Sequence, residues 1–404
     1  MVTRREVLAS TAAAASLAAP VRAKPAQARS PRVAVIGAGV FGAWSAWQLV
    51  RRGCKVLLVD AYGAGHARAS SGGESRVIRL SYGGDPLYSG MARESLAEWA
   101  ELSRRQSQPL LHRTGVLWFS PAGDGYMAQS LDWLRQNSLA HEFGDRGWLA
   151  QRYPQIAFRE SESGFLESDS GGLIAGRGVQ AVVADAGLTA LRHRAAPPER
   201  LGNGRYRIAG EEVDALVYAC GPWLPALFPE LLGERIAATR QEVYHFGAPP
   251  GDSRFAPPTM PVWADFNAGD IVYGLPDLEG QGFKLAFDAH GARVDPDTQD
   301  RRVSAEGVAA ARAYLAERFP ALARAPLIHS RVCQYENSSN GDFLLDRLPG
   351  HERVWLVGAG SGHGFKHGPA VGRRVAEHVL DPALAVEPRF SLTSKDTVVA
   401  RAVY

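Results

Sequence analysis

The stretch from Arg32 to Asp60, RVAVIGAGVFGAWSAWQLVRRGCKVLLVD, decides the fold. The apolar run Val33 to Ile36 meets Gly37, Gly39 and Gly42 in G-x-G-x-x-G spacing, a helical pattern follows, and a second apolar run closes on Asp60. This is the pattern of a βαβ unit that binds a dinucleotide. Gly37 permits the tight turn, Gly39 lets the backbone approach a diphosphate, and Gly42 lets the helix sit close to the strand. The helix N-terminus then offers unpaired N–H groups to the phosphates. Asp60, about twenty residues past the glycines, is placed to accept hydrogen bonds from an adenosine ribose. The motif alone does not distinguish NAD from FAD.

A chain of 404 residues with 46% hydrophobic and 22% charged residues can bury a large core and has room for two domains. The formal net charge is only +3, and no Lys/Arg cluster alternates with aromatics, so nothing supports a nucleic-acid partner. Small-molecule chemistry is favoured. The cysteines, Cys54, Cys220 and Cys333, are odd in number and far apart. Cys54 and Cys220 adjoin strands and read as buried small hydrophobic residues, which leaves Cys333 over.

The first residues have a character of their own. Thr3-Arg4-Arg5-Glu6-Val7-Leu8 is a twin-arginine pattern, TAAAASLAAP is weakly apolar, and Val21-Arg22-Ala23 has the form of a signal-peptidase site. The twin-arginine route carries folded cargo, which suits a protein that loads its cofactor before export. The expectation is therefore a leader over 1–23 and a periplasmic or secreted product. No later run reaches about eighteen apolar residues, so no membrane span is expected.

Beyond Asp60 the Gly- and Ser-rich segment 61–82 offers Ser70 and Ser71 as hydroxyl donors to phosphate. A helix is expected over Tyr88 to Leu102, a strand over Gly115 to Phe119, a helix over Met127 to Gln136, and a polar region through Glu167. Short strands are expected at Thr189 to Arg192, Tyr206 to Ile208 and Ala215 to Ala219. From Arg240 alternating segments (Glu242 to Phe246, Val262 to Asp265, Ile271 to Tyr273, Phe283 to Phe287) suggest an antiparallel sheet covering a cofactor or substrate. A helix over Ser304 to Arg318 follows. Strand, glycine turn and helix then recur at Val354 to Gly360 and SGHGFKHGPAVGRRVAEHVL, with the helix expected to begin near Gly362. The fold class is thus α/β, in an α+β two-domain arrangement. A discontinuous Rossmann-like domain (31–113, 170–238 and 333–390) carries an inserted substrate domain (114–169 and 239–332) built on an antiparallel sheet.

The blocks VAVIGAGVFG, ESRVIRLSYG, TGVLWF, VYGLP, GFKLAF, VCQY and GSGHGFKHGPAVG together resemble the FAD-dependent amine oxidases of the D-amino-acid-oxidase superfamily, in particular the sarcosine and N-methyltryptophan oxidase branch. The resemblance implies FAD bound covalently to Cys333 through an 8α-thioether, with Tyr335 and Tyr273 beside the substrate. It implies that Arg79 and Lys366 hold a substrate carboxylate, that Lys284 at the ring promotes reaction with O2, and that Arg76 lies near the ring. Gly362 and Gly364, in the turn around Lys366, are expected against the cofactor. Gly72 and Asp288 depart from the branch, which has histidines there, although His290 is close by.

On the residues themselves, a helix start near Gly362 would aim N–H groups at the ring's pyrimidine edge. Lys366 would oppose that helix dipole and so needs a reason for its place. His363 and His367 read as structural or solvated rather than as metal ligands. The expected function is a monomeric, exported oxidase of N-methyl or other N-alkyl amino acids, re-oxidised by O2 to give H2O2. A dehydrogenase with a quinone or protein acceptor and a non-catalytic FAD- or ligand-binding protein are the alternatives.

Overall fold

The computed structural model describes residues 29–268, 270–289 and 291–396. The expected leader with Arg4, Arg5 and Ala23 lies outside them, as does His290.

The strand Arg32–Ile36 sits inside a six-stranded sheet, ordered Leu344–Arg347, Val354–Gly358, Ala215–Tyr218, Arg32–Ile36, Lys55–Asp60 and Leu191–Arg192. Every pairing is parallel except that of the edge strand Leu344–Arg347. Parallel strands are covered on both faces, and Val33, Ala34 and Val35 are accordingly 0% exposed. The crossover helix Val40–Arg51 packs on Gly368–Leu380. A Cβ at Gly372 would stand 2.5 Å from the Trp44 carbonyl carbon, so this glycine sets how closely the two helices approach.

The second sheet has eight strands, ordered Leu327–Ser338, Ile236–Phe246, Phe283–Asp288, Asp270–Leu275, Val262–Ala268, Val116–Pro121, Glu162–Glu167 and His141–Asp145. One pair departs from the expected antiparallel pattern: Val262–Ala268 runs parallel to Val116–Pro121. The two strands come from separate insertions, and the chain between them passes through the other sheet. That long connection is what a parallel crossover needs. The polar region before Glu167 also holds two strands at this edge, where Phe143 is 51% exposed. Their mixed composition hides the period-two signal.

The expected strand Glu242 to Phe246 starts earlier, at Ile236, because it pairs along its whole length with Leu327–Ser338. This long antiparallel pair, at one edge of the eight-stranded sheet, reaches the turn at Gly221–Trp223 after a strand of the six-stranded one, and both sheets belong to one compact unit beginning at Pro31. Beneath the larger sheet the helix Ala305–Arg318 is anchored by Arg318. Its guanidinium lies 2.8 Å from Glu162 and 3.1 Å from Asp265, with all three side chains within 1% of full burial. Among the described residues no helix is long and apolar enough to cross a membrane.

Candidate active site

A cavity of about 790 Å³ runs from the glycine motif to the face of the larger sheet. At one end are Gly37, Gly39, Asp60, Ser70 and Ser71; at the other are Arg76, Tyr273, Lys284, Cys333, Tyr335, Gly362 and Gly364. Gly42 lies behind the motif, in the first turn of the helix.

At the glycine end the chain shows which glycines serve the fold. Gly37 has φ of +102°, and a Cβ there would stand 2.2 Å from the Ala219 carbonyl oxygen; one at Gly42 would stand 1.8 Å from that of Gly37. A Cβ at Gly39 meets only the Ser71 hydroxyl, at 3.4 Å. The fold does not need glycine at 39, whereas a diphosphate lying against the backbone does. Asp60 accepts from the Ala38 N–H at 2.8 Å and from the N–H groups of Tyr62 and Gly63 at 2.7 and 2.8 Å, which fixes its carboxylate at the cavity wall. Ser71 accepts from the Val40 N–H at 3.0 Å, capping the helix and leaving its own hydrogen to donate. Ser70 instead donates to the Gln334 carbonyl at 2.7 Å. The residues present fit a dinucleotide.

At the sheet end, strand register brings the chemistry together. Gln241 faces Cys333, Thr239 faces Tyr335, and His245 faces Lys284 on adjoining strands. Lys284 is 1% exposed and donates from Nζ to the Ser75 carbonyl at 2.7 Å. Burial, reinforced by the Arg76 guanidinium, pulls its pKa down to about 7. Arg76 also donates to the Ser75 carbonyl, at 2.8 Å, and to that of Ser70, and one of its nitrogens lies 3.8 Å from Cys333 Sγ. The Tyr273 and Tyr335 hydroxyls lie close to each other and to Asp288. Burial and then Asp288 push Tyr273 up to about 12.

Arg79 and Lys366 converge elsewhere, on Tyr82, and are not among the residues lining this cavity. The Arg79 guanidinium lies 3.8 Å over the Tyr82 ring and donates to the Tyr126 hydroxyl at 3.0 Å and to the Ser81 carbonyl. Lys366 Nζ donates to the Tyr82 hydroxyl at 2.7 Å and to the His363 carbonyl at 2.9 Å. His367 Nε2 and His363 Nδ1 reach the same hydroxyl at 2.7 and 3.3 Å. Tyr82 is thus the centre of the cluster, and sequence reasoning passed over it. Its one signal was its place in the ESRVIRLSYG block.

Three expectations change. The α-helix near Lys366 begins at Gly368, after a single 3₁₀ turn at Phe365–His367, because Gly362, at φ +79°, still belongs to the turn. The turn, not the α-helix end, therefore lines the cavity. Cys220 is half-buried rather than buried, and it lines the cavity. At Gly72 a Cβ would stand 1.8 Å from the His66 carbonyl oxygen, so no side chain fits there.

The family model described as FAD dependent oxidoreductase matches residues 32–378. The chain belongs to this family. FAD is therefore its cofactor, and the enzyme is a flavin-dependent oxidoreductase. It is 30% identical over 365 residues to monomeric sarcosine oxidase of Bacillus sp. (strain B-0618), covering 86% of this chain and 92% of that protein. It is likewise 30% identical over 380 residues to N-methyl-L-tryptophan oxidase of Salmonella arizonae, covering 89% and 96%. Among solved structures, NikD, an amino acid oxidase essential for nikkomycin biosynthesis, shares the fold with TM-score 0.74 at 20% identity, covering 90% of this chain and 97% of NikD.

Proposed function

We propose that the enzyme oxidises a secondary amino acid, carrying an N-methyl or other N-alkyl group, to the imine. Bound FAD would supply the two-electron oxidation of the C–N bond and the reduction of O2 to H2O2, and water would hydrolyse the imine. The observation that carries this reading is the single cavity joining the glycine motif to Lys284, Tyr273, Tyr335 and Cys333. The similarity to two oxidases of N-methyl amino acids supports the substrate class.

The residues take these parts. Asp60 holds the ribose and the Gly39 backbone the diphosphate. Cys333 Sγ would hold the flavin through the 8α-thioether, with the Arg76 guanidinium 3.8 Å away. Lys284 supplies a fixed positive charge where O2 gains its first electron, in a buried site where such a charge counts for more than in water. Tyr273 and Tyr335 keep their protons and offer hydroxyl hydrogen bonds to the substrate. The resemblance assigns a substrate carboxylate to Arg79 and Lys366, two buried cations at Tyr82, outside the residues lining the cavity; there arginine would offer a two-bond fork and lysine a point charge. The enzyme acts as a monomer, exported by the twin-arginine signal at Arg4 and Arg5 with cleavage near Ala23.

The test compares an N-methyl amino acid with its methyl ester or decarboxylated amine. Preference for the acid, lost in Lys366→Ala, is expected; equal oxidation of the carboxylate-free analogue contradicts the substrate class. Oxygen consumption against dye reduction decides between oxidase and dehydrogenase.

A further inference from the structure

Glu336 follows Tyr335 on the long Leu327–Ser338 strand and lines the cavity, yet the functions above leave it unused. It is 6% exposed and lies against the turn at Ala359 and Gly360. Its Oε1 has no hydrogen-bond partner among the described residues. A Cβ at Gly358 would stand 2.5 Å from that oxygen, so a glycine makes room for the carboxyl. No basic side chain contributes to its field. The titratable groups facing it are the Cys220 thiol, from the turn after Ala215–Tyr218, and Asp60 beyond that thiol.

A lone buried carboxylate is costly, and burial pushes this one up to about 8, so it holds its proton at neutral pH. A neutral carboxyl can donate as well as accept. Along the strand it follows Cys333 and Tyr335, with its side chain alternating with theirs, and it faces Cys220, whose Sγ lies 3.5 Å from the Ile36 carbonyl oxygen, next to Gly37. The diphosphate expected at Gly37 and Gly39 would repel a carboxylate here but not a carboxylic acid.

Building on the FAD site described above, we propose that Glu336 binds the cofactor as a neutral acid, donating a hydrogen bond from its carboxyl to the hydroxyl-bearing linker between ring and diphosphate. The linker gives the carboxyl the polar partner that the fold withholds.

The experiment titrates apo Cys333→Ser protein, in which binding stays reversible, with FAD and separately with ADP, which lacks the linker. Glu336→Leu on this background should lose at least tenfold in FAD affinity, keep its ADP affinity, and melt no lower than its parent without cofactor. Glu336→Gln, neutral and still a donor, should recover FAD affinity to within about threefold. Unchanged FAD affinity in the leucine variant overturns the proposal while leaving the FAD site intact. So does an equal loss toward ADP, a loss that glutamine does not recover, or a parallel fall in melting temperature. A parent that takes up no FAD at all overturns the FAD site itself.

Discussion

Lys284 and Glu336 face the same cavity with opposite displacements of their proton equilibria; burial is the main cause of both, reinforced at Lys284 by Arg76 and only partly offset by Glu74. For Lys284 the folded value near 7 means that its positive charge is present below neutrality and lost above it. The oxidative half-reaction should therefore slow as pH rises through about 7, and Lys284→Arg, charged throughout, should remove that dependence. Lys284→Met should slow re-oxidation far more than anaerobic reduction by substrate; equal loss in both half-reactions would place Lys284 in binding. Stopped-flow measurement of the two half-reactions separates these outcomes. For Glu336 the folded carboxyl titrates near 8 and an ordinary one near 4.5. Between those values the folded apoprotein holds more protons than the unfolded chain, so this group makes stability fall as pH rises from about 5 to 8. Chemical denaturation of wild type and Glu336→Gln across that window should show the fall in the former and its loss in the latter. Lys366→Ala removes one charge-assisted contact worth about 1.5–3 kcal/mol, so kcat/KM toward the acid should drop by about one to two decades. Much of that loss belongs in kcat, because a loosened carboxylate no longer holds the reacting carbon in place.

At the scale of elements, the first βαβ unit separates fold from function within one motif. Gly37→Val forces a branched side chain into a left-handed backbone 2.2 Å from a carbonyl oxygen, and should cost about 2–5 kcal/mol in unfolding free energy. Gly39→Ala, with ordinary φ and space for a methyl group, should melt within a degree or two of wild type yet take up FAD poorly. If both variants lose stability alike, Gly39 serves the turn and not a diphosphate. The buried Arg318 is a second such test. Arg318→Leu leaves Glu162 and Asp265 uncompensated and should cost about 3–5 kcal/mol, with no direct effect on flavin chemistry.

The sequence made this unit legible because strand, glycine turn, helix and acid are all local. The helices at Pro86–Arg104 and Ala305–Arg318 were readable for the same reason. The parallel pair Val116–Pro121 with Val262–Ala268 was not, since nothing local to either strand specifies a partner more than a hundred residues away. The Tyr82 cluster was hidden similarly: its members come from 79–82 and 363–367, and only the tertiary fold shows that two cations and two histidines share one phenol.

For the whole molecule, the architecture puts the glycine motif and the polar side chains of the larger sheet along one cavity. The six-stranded sheet supplies the glycine motif, the eight-stranded sheet supplies Lys284, Tyr273 and Cys333, and the long antiparallel pair of Ile236–Phe246 with Leu327–Ser338, within the larger sheet, reaches the smaller one. A thioether at Cys333 should keep the flavin with acid-precipitated protein, and Cys333→Ser should release it to the supernatant; colourless wild-type precipitate contradicts the attachment. Arg4→Lys with Arg5→Lys should abolish export, which cell fractionation reads directly. The central claim is that this cavity oxidises secondary amino acids through FAD. Its most direct test is anaerobic mixing of the purified flavoprotein with N-methyl amino acids, proline, pipecolate and glycated amino acids, following the flavin's visible absorbance. At least one N-alkyl amino acid is expected to bleach the flavin within the time of turnover, and admitting O2 is expected to restore the colour with one H2O2 formed per substrate oxidised. A flavin that stays fully coloured with every one of these amines contradicts it.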